Sequence, residues 1–205
     1  MGIVVAHEFV TLDGVMQAPG APDEDREGGF KHGGWQAPYV GDDAGSLVFE
    51  QYQSMDALLL GRKTYDIFAG YWPRAAADIP FTALFNDAPK YVVSRSMERA
   101  NWANTTILRG ADAAEFAPVK ERHSEVHLVG SGSLMQSLLA NDLVDRINLW
   151  VYPVLLGTGK RLFGEGIAPA AMRLLDSRSF ASGAVVLKYE RVGKPGYGNM
   201  AEGSS

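Results

Sequence analysis

Asp56-Ala57-Leu58-Leu59-Leu60-Gly61-Arg62-Lys63-Thr64-Tyr65 runs from a short apolar segment through a glycine into two cations, a hydroxyl and an aromatic. That order is how a buried strand hands over to a helix whose first turn can hold an anion. A helix N-terminus presents unpaired N–H groups and the positive end of the helix dipole. Arg62 and Lys63 add charge, Thr64 adds a hydroxyl donor, and Gly61 is expected to let the backbone approach a ligand with no Cβ in the way. The same residues also read as a plain strand–helix junction with a solvated basic turn.

Two more stretches repeat the theme. Lys90 to Ser96 (Lys-Tyr-Val-Val-Ser-Arg-Ser) is an apolar strand ending in hydroxyls and an arginine. Val126 to Leu134 (Val-His-Leu-Val-Gly-Ser-Gly-Ser-Leu) is a strand running into a Gly-Ser-Gly turn that opens a helix. Three such strand ends describe the edge of an α/β sheet, where ligands bind at the carboxyl ends of parallel strands. The third turn holds only part of a dinucleotide glycine fingerprint, and no acidic residue follows about 20 positions on.

Working outward, the expected strands are Ile3–Val10, Asp56–Leu60, Lys90–Ser94, Thr105–Leu108, Glu125–Val129, Val144–Val154 and an antiparallel pair, Ala171–Ser179 with Ala184–Arg191. Helices are expected over Ser46–Ser54, Lys63–Ala69, Phe81–Phe85, Ala111–Val119 (interrupted near Pro118) and Leu134–Ala140. Thr11 to Gly45 reads as one long loop, and loops of that length in compact domains are often functional. Early strands alternate with helices and late ones do not, so the fold class is α/β: a mixed, mostly parallel sheet with helices on both faces and an antiparallel end.

The 205 residues point to a single domain over residues 1–192 with a loose tail, 193–205. There is no cysteine, so no disulfide framework and no thiol nucleophile, which suits a cytoplasmic location. A net charge of −5 argues against nucleic acid as a partner, and no apolar run is long enough to span a membrane. The four histidines lack metal-ligand spacing, so no metal is expected. No Gly-x-Ser-x-Gly elbow or phosphate-binding Walker loop occurs.

The ordered set Gly61-Arg62-Lys63-Thr64-Tyr65, Tyr91 to Ser96, Val129 to Leu134, Leu143-Val144-Asp145 and Pro153 to Gly159 resembles the dihydrofolate-reductase-like proteins. It is most similar to stand-alone relatives of the reductase domain of the riboflavin-pathway bifunctional deaminase-reductase. Thr11-Leu12-Asp13-Gly14-Val15 matches the motif after their first strand. The resemblance implies a three-layer α/β/α fold with a central eight-stranded sheet, NADPH as cofactor, and hydride transfer to a C=N or C=O group of a small heterocycle. That substrate would be pterin-like or a pyrimidine-ribosyl compound such as 5-amino-6-(5-phosphoribosylamino)uracil. By position, Gly61, Arg62, Lys63 and Thr64 would hold the cofactor phosphates, Ser94, Arg95 and Ser96 would surround the adenosine ribose, and Gly130, Ser131, Gly132, Ser133 and Leu134 would wrap the pyrophosphate and nicotinamide ribose. Arginine and hydroxyl donors at strand ends without a carboxylate favour a 2′-phosphate, hence NADPH over NADH. Val129 stands where the riboflavin-pathway reductase carries a glutamate, and the pterin-binding carboxylate position of dihydrofolate reductases falls on Gly45, near Asp42, Asp43 and Glu50.

Asp13 and Asp43 are the candidate proton-handling carboxylates, although Asp13-Gly14 also reads as an ordinary turn. Asp13, Phe49, Trp72 and Tyr152 are the candidate substrate contacts; Trp72 reads equally as a packing residue, and Tyr152 reads more readily as core. His7 and His127 read as satisfied core histidines. The Gly28–Trp35 segment, with glycines around Phe30, His32 and Trp35, reads as a lid or as a surface or dimer-contact insertion. A homodimer is expected through the apolar strand Val144–Val154. The alternatives to a riboflavin-type reductase are a dihydrofolate reductase and a catalytically silent NADP(H)-binding module.

Overall fold

The computed structural model describes residues 1–199, so the expected tail beyond 199 lies outside the described residues. Eight strands form one sheet: β1 (Ile3–Thr11), β2 (Ala57–Gly61), β3 (Lys90–Val93), β4 (Thr105–Leu108), β5 (Glu125–Val129), β6 (Arg146–Tyr152), β7 (Ala171–Ser179) and β8 (Val185–Gly193). Their spatial order is β4-β3-β2-β5-β1-β6-β8-β7. The first six are mutually parallel. β8 runs antiparallel to both β6 and β7. All eight strands fall where apolar runs and turn signals placed them. This is the dihydrofolate-reductase-like arrangement.

Period-two alternation splits the core into two layers. Ala57, Leu59, Tyr91 and Leu128 face α4 (Ala113–Arg122) and α5 (Gly132–Ala140). Leu58, Leu60, Val92 and Val129 face α1 (Asp42–Tyr52), α2 (Arg62–Tyr71) and α3 (Pro80–Asp87) through Tyr52, Tyr65 and Phe85. A third apolar cluster, centred on Trp150, Tyr152 and Phe180, joins α1 to the long segment after β1.

Several boundaries differ from expectation for local reasons. α1 begins at Asp42, four residues earlier than expected, because Gly45 sits inside the helix rather than breaking it. α4 starts at Ala113 because Asp112 caps it, accepting from the Ala114 and Glu115 N–H groups, and Pro118 lies within the helix without ending it. β6 ends at Tyr152 and lies between β1 and β8. Its Trp150 is fully buried and its Nε1 donates to Gln51 Oε1 (3.2 Å), so this strand's apolar face serves the core and not a dimer surface.

Lys90 shows how a charged residue can sit in an apolar strand. Its side chain is only 1% exposed, and its Nζ donates to the carbonyls of Phe85 (2.8 Å), Asn86 (2.9 Å) and Ala88 (2.7 Å). It closes the C-terminal end of α3, where carbonyls lack helical partners, and lies over the Trp102 ring at 4.6 Å. Burial pushes its pKa down to about 8. Lys90→Met keeps the apolar stem but strands these carbonyls, and should cost about 2–4 kcal/mol in urea unfolding. A loss below about 0.5 kcal/mol would show that Lys90 does not hold this corner.

Candidate active site

Because β2 and β5 are neighbours, the β2–α2 and β5–α5 junctions meet at the carboxyl edge of the sheet. Gly61 precedes α2 and Ser131 precedes α5, and neither helix start has a side-chain cap. Ser131 takes a left-handed conformation (φ 66°) after Gly130 (φ 56°). Its Oγ accepts from the Gly61 N–H (3.0 Å) and hydrogen bonds with Thr64 Oγ1 (2.7 Å). A Cβ on Gly61 would collide with this hydroxyl, and a Cβ on Gly132 would collide with Met16 Sδ. Gly61 is thus needed first for the contact between the two turns. The result is two uncapped helix N-termini side by side, with exposed Arg62, Lys63 and Ser133 around them. That donor set fits phosphate groups.

The third strand end lies on the same edge. Ser94 is buried and its Oγ accepts from the Met97 N–H (3.1 Å), whereas Arg95 and Ser96 are exposed. Arg109, which sequence reasoning missed, ties this loop down. Its Nη1 donates to the carbonyls of Ser94 (3.2 Å), Arg95 (3.4 Å) and Met97 (2.7 Å). A guanidinium one residue past an apolar strand gave no local signal that its partners lie a dozen residues upstream. Leu134 is buried in the core beside the turn, its Cβ 3.7 Å from the space a Cβ on Gly61 would take.

The segment after β1 is folded back over this edge rather than open. Val15 bridges to Arg161, Phe30 and Trp35 are buried, and the Trp35 Nε1 donates to the Gln17 carbonyl (2.8 Å). Buried Gln17 spans the fold: its Nε2 donates to the carbonyls of Asp25 (3.1 Å) and Glu27 (3.0 Å), and its Oε1 accepts from the Lys160 N–H (3.0 Å). This presents Asp25 and Glu27 to two lysines. Lys63 lies 2.6 Å from Asp25 and 3.0 Å from Glu27; Lys160 lies 2.9 Å and 2.5 Å from the same carboxylates. Burial alone would raise Asp25, but the hydrogen bonds from Lys63 and Lys160 prevail and bring it to about 2. Lys63 is therefore engaged by this clasp, and Arg62 is paired with Asp66 (2.8 Å) along α2.

The candidate carboxylates have separate fates. Asp13 accepts from Thr11 Oγ1 (2.5 Å), the Gly157 N–H (2.8 Å) and the Leu156 N–H (3.3 Å), and Arg161 lies 3.5 Å away. The Thr11 hydroxyl and these backbone donors hold its pKa below the usual value against a desolvation that would raise it. Its geometry is that of an anchor joining the β1 loop to the 154–157 loop. Asp43 is exposed at the start of α1 and accepts the Ala44 N–H (2.9 Å). The substrate candidates fall into two groups. Phe49 and Trp72 both contact Phe81 (5.2 and 6.2 Å between centroids). Tyr152 instead packs with Trp35 and Phe9 (5.6 and 6.4 Å), and its hydroxyl accepts from Gln36 Nε2 (2.7 Å).

Glu8, which sequence reasoning also passed over, is fully buried, and neither carboxyl oxygen has a hydrogen-bond partner. It shares the parity of Ala6 and Val10, which cluster with Leu134 and Met135 of α5. The preceding residue, His7, accepts the Gly130 N–H on its carbonyl (3.5 Å), so Glu8 sits at the level of the Gly-Ser-Gly turn. Burial pushes its pKa up to about 8.

Known proteins match this arrangement. Residues 3–186 match the family model described as the RibD C-terminal domain. Two Bacillus subtilis proteins of unknown role are similar: YyaP, 30% identical over 142 residues (66% of this chain, 73% of that protein), and YwjB, 28% identical over 144 residues (68% and 76%). A putative riboflavin biosynthesis protein of Shewanella superposes with a TM-score of 0.69 at 21% identity, over 92% of this chain and 98% of that one. A deaminase and 5-amino-6-(5-phosphoribosylamino)uracil reductase of Thermotoga maritima does so with a TM-score of 0.61 at 15% identity, over 93% of this chain and 56% of that longer one. With the sheet order, the paired glycine turns and a family match over nearly its whole length, the chain belongs to the RibD C-terminal domain family.

Proposed function

We propose that the protein is an NADPH-dependent reductase acting on a small pterin-like or pyrimidine-ribosyl compound. The observation that carries this reading is the pair of uncapped helix N-termini clamped together through Ser131, Gly61 and Thr64. The phosphates would lie on the first turns of α2 and α5, with Ser133 and whichever of the Thr64 and Ser131 hydroxyls keeps its proton free of their mutual bond as hydroxyl donors. Arg62, Arg95 and Ser96 would meet a 2′-phosphate. When bound, the cofactor supplies the hydride. The chain supplies orientation, exclusion of water by the 12–41 segment, and a proton. Of the carboxyl groups near this edge, Glu8 is the one held protonated near neutral pH, whereas Asp13 is held ionised; Glu8 therefore replaces Asp13 and Asp43 as the favoured proton source. A cytoplasmic homodimer belongs to the same reading. Its support is β7, an edge strand of nine residues whose Leu174 and Leu175 are 50% and 42% exposed. Light scattering should give twice the chain mass, and a monomer mass would remove the pairing.

Titration of the intrinsic tryptophan fluorescence tests the cofactor. NADPH should bind at micromolar concentration or tighter, with NADH about tenfold weaker, and Arg62→Ala should weaken NADPH more than NADH. Equal loss for both would sink the 2′-phosphate assignment. Because Asp25 and Glu27 compete for Lys63, the double variant Asp25→Asn, Glu27→Gln should tighten NADPH by about 3–10-fold (about 0.7–1.4 kcal/mol). Unchanged or weaker binding in a variant of normal melting temperature would mean that the clasp does not oppose the cofactor. NADPH consumption with dihydrofolate and with the riboflavin-pathway pyrimidine then tests turnover.

Glu8 gives a pH test. The folded chain keeps a proton that the unfolded chain releases between the ordinary value of 4.5 and about 8. Its contribution is therefore fully present below 4.5, falls as pH rises through that window, and levels off above it. Relative to Glu8→Gln, wild type should lose up to about 5 kcal/mol between pH 4.5 and 8.5. A constant difference between the two proteins across that range would show that Glu8 does not carry the proton.

A further inference from the structure

β4 ends at Leu108, opposite Val93 of β3, so Arg109 follows one strand where Ser94 follows the other. The two chain segments are joined at that level, the Ser94 N–H donating to the Leu108 carbonyl (2.9 Å). From there Arg109 reaches along the loop after β3. A single nitrogen, Nη1, meets the carbonyls of Ser94 (3.2 Å), Arg95 (3.4 Å) and Met97 (2.7 Å). Ser94 and Met97 are buried, whereas Arg95 and Ser96 between them are exposed. The loop is thus anchored on both sides of its two exposed residues, and its carbonyls are gathered at one point.

That gathering decides where the N–H groups go. In a trans peptide the C=O and the following N–H point in opposite directions. Holding the Ser94 and Arg95 carbonyls on Arg109 therefore turns the N–H groups of Arg95 and Ser96 away from it. Among the described residues neither of these two N–H groups donates to a protein acceptor, although the N–H groups on either side do: Ser94 to Leu108, and Met97 to Ser94 Oγ (3.1 Å). Successive N–H groups left free in a turn make a concavity that binds anions. The same two residues carry the Arg95 guanidinium and the Ser96 hydroxyl, so backbone and side-chain donors belong to one short stretch.

We propose that Arg109 is the positioning residue that sets the preference for a 2′-phosphorylated nicotinamide cofactor over its unphosphorylated form. This inference rests on the reductase reading above and adds to it the residue that shapes the β3 loop. Arg109 acts through that loop. It holds the carbonyls on one side, so that the N–H groups and side chains of Arg95 and Ser96 meet the phosphate on the other. A phosphomonoester brings a charge of about −1.5 to −2 and three strong acceptor oxygens, which need those donors already in place. A free 2′-hydroxyl at the same point brings neither. A loosened loop therefore weakens the phosphorylated cofactor and spares the other.

Fluorescence titration with NADPH and NADH tests this on four full-length chains: wild type, Arg109→Met, Arg109→Lys and Arg99→Met. Arg109→Met, a change at an exposed position, should keep the melting temperature. It should weaken NADPH about fivefold or more and move NADH less than about twofold. Arg109→Lys keeps a cation with three N–H groups, as many as there are carbonyls, and should bring NADPH back to within about twofold of wild type. Arg99→Met removes the same charge from an exposed residue near the loop and should leave both affinities within about twofold. In the cofactor-free chain, amide exchange at Ser94 and Met97 should quicken about threefold or more in Arg109→Met. A wild type that prefers NADPH, with an Arg109→Met chain that keeps the preference, would overturn the inference and leave the reductase reading standing. A wild type that binds neither cofactor, or both equally, would overturn both. Equal loss of NADPH and NADH, equal loss in Arg99→Met or Arg109→Lys, or unchanged amide exchange would each overturn the role given to Arg109.

Discussion

The contact of Ser131 Oγ with the Gly61 N–H and Thr64 hydroxyl is the constraint on which the candidate site depends. It exists only because β5 inserts between β2 and β1, bringing two strand–helix junctions 70 residues apart into one place. Both helices then begin without side-chain caps, which would be a defect if nothing ever met those N–H groups. Gly61 is required because the space of its missing side chain is taken by Ser131, and Ser131 is required in a left-handed conformation to reach it. Substituting either residue would therefore alter both helix starts at once.

The 12–41 segment is organised by polar contacts more than by apolar area. Buried Gln17 satisfies two carbonyls of the segment and one N–H of the 157–160 loop. Asp13 satisfies two more N–H groups of the neighbouring stretch. These bonds place Asp25 and Glu27 between Lys63 and Lys160, so the same segment that covers the edge also holds the Lys63 cation. The two lysines and Glu27 are exposed, and pairs between such groups are individually weak, about 0–1 kcal/mol each, whereas Asp25 is largely covered and is held more firmly between the same lysines.

Strand positions were legible because a buried strand needs only a short apolar run and a turn. The order of the strands was not legible, since no local pattern says that β5 sits between β2 and β1. The long loop looked structureless because its partners are remote: Asp13 and Gln17 bond residues about 143 positions away. Gly61 was read as a place for ligand approach, yet its neighbour is a protein hydroxyl that sequence spacing cannot reveal. Val144–Val154 looked like an interface because an interior strand and an interfacial strand share the same apolar composition. Only the pairing of β6 with β1 on one side and β8 on the other separates them.

Glu8 escaped notice for a different reason. In Ile3–Thr11 it is one polar residue in an alternating strand, and alternation normally sends such a residue to solvent. Here both faces of β1 are covered, so the carboxyl stays in the core, and the environment sorts the acids by function. Asp13, with a hydroxyl and two backbone donors, can exist only as the anion near neutral pH; Glu8, with no donor at all, is held neutral up to about 8. Two carboxyl groups whose surroundings push their pKa values apart can take different roles; here Asp13 is the anchor, and the proposed reading gives Glu8 the role of acid. A reduction needs one proton for each hydride, and under the proposed reading the neutral carboxyl of Glu8, at the level of the glycine turn, is the group that would supply it.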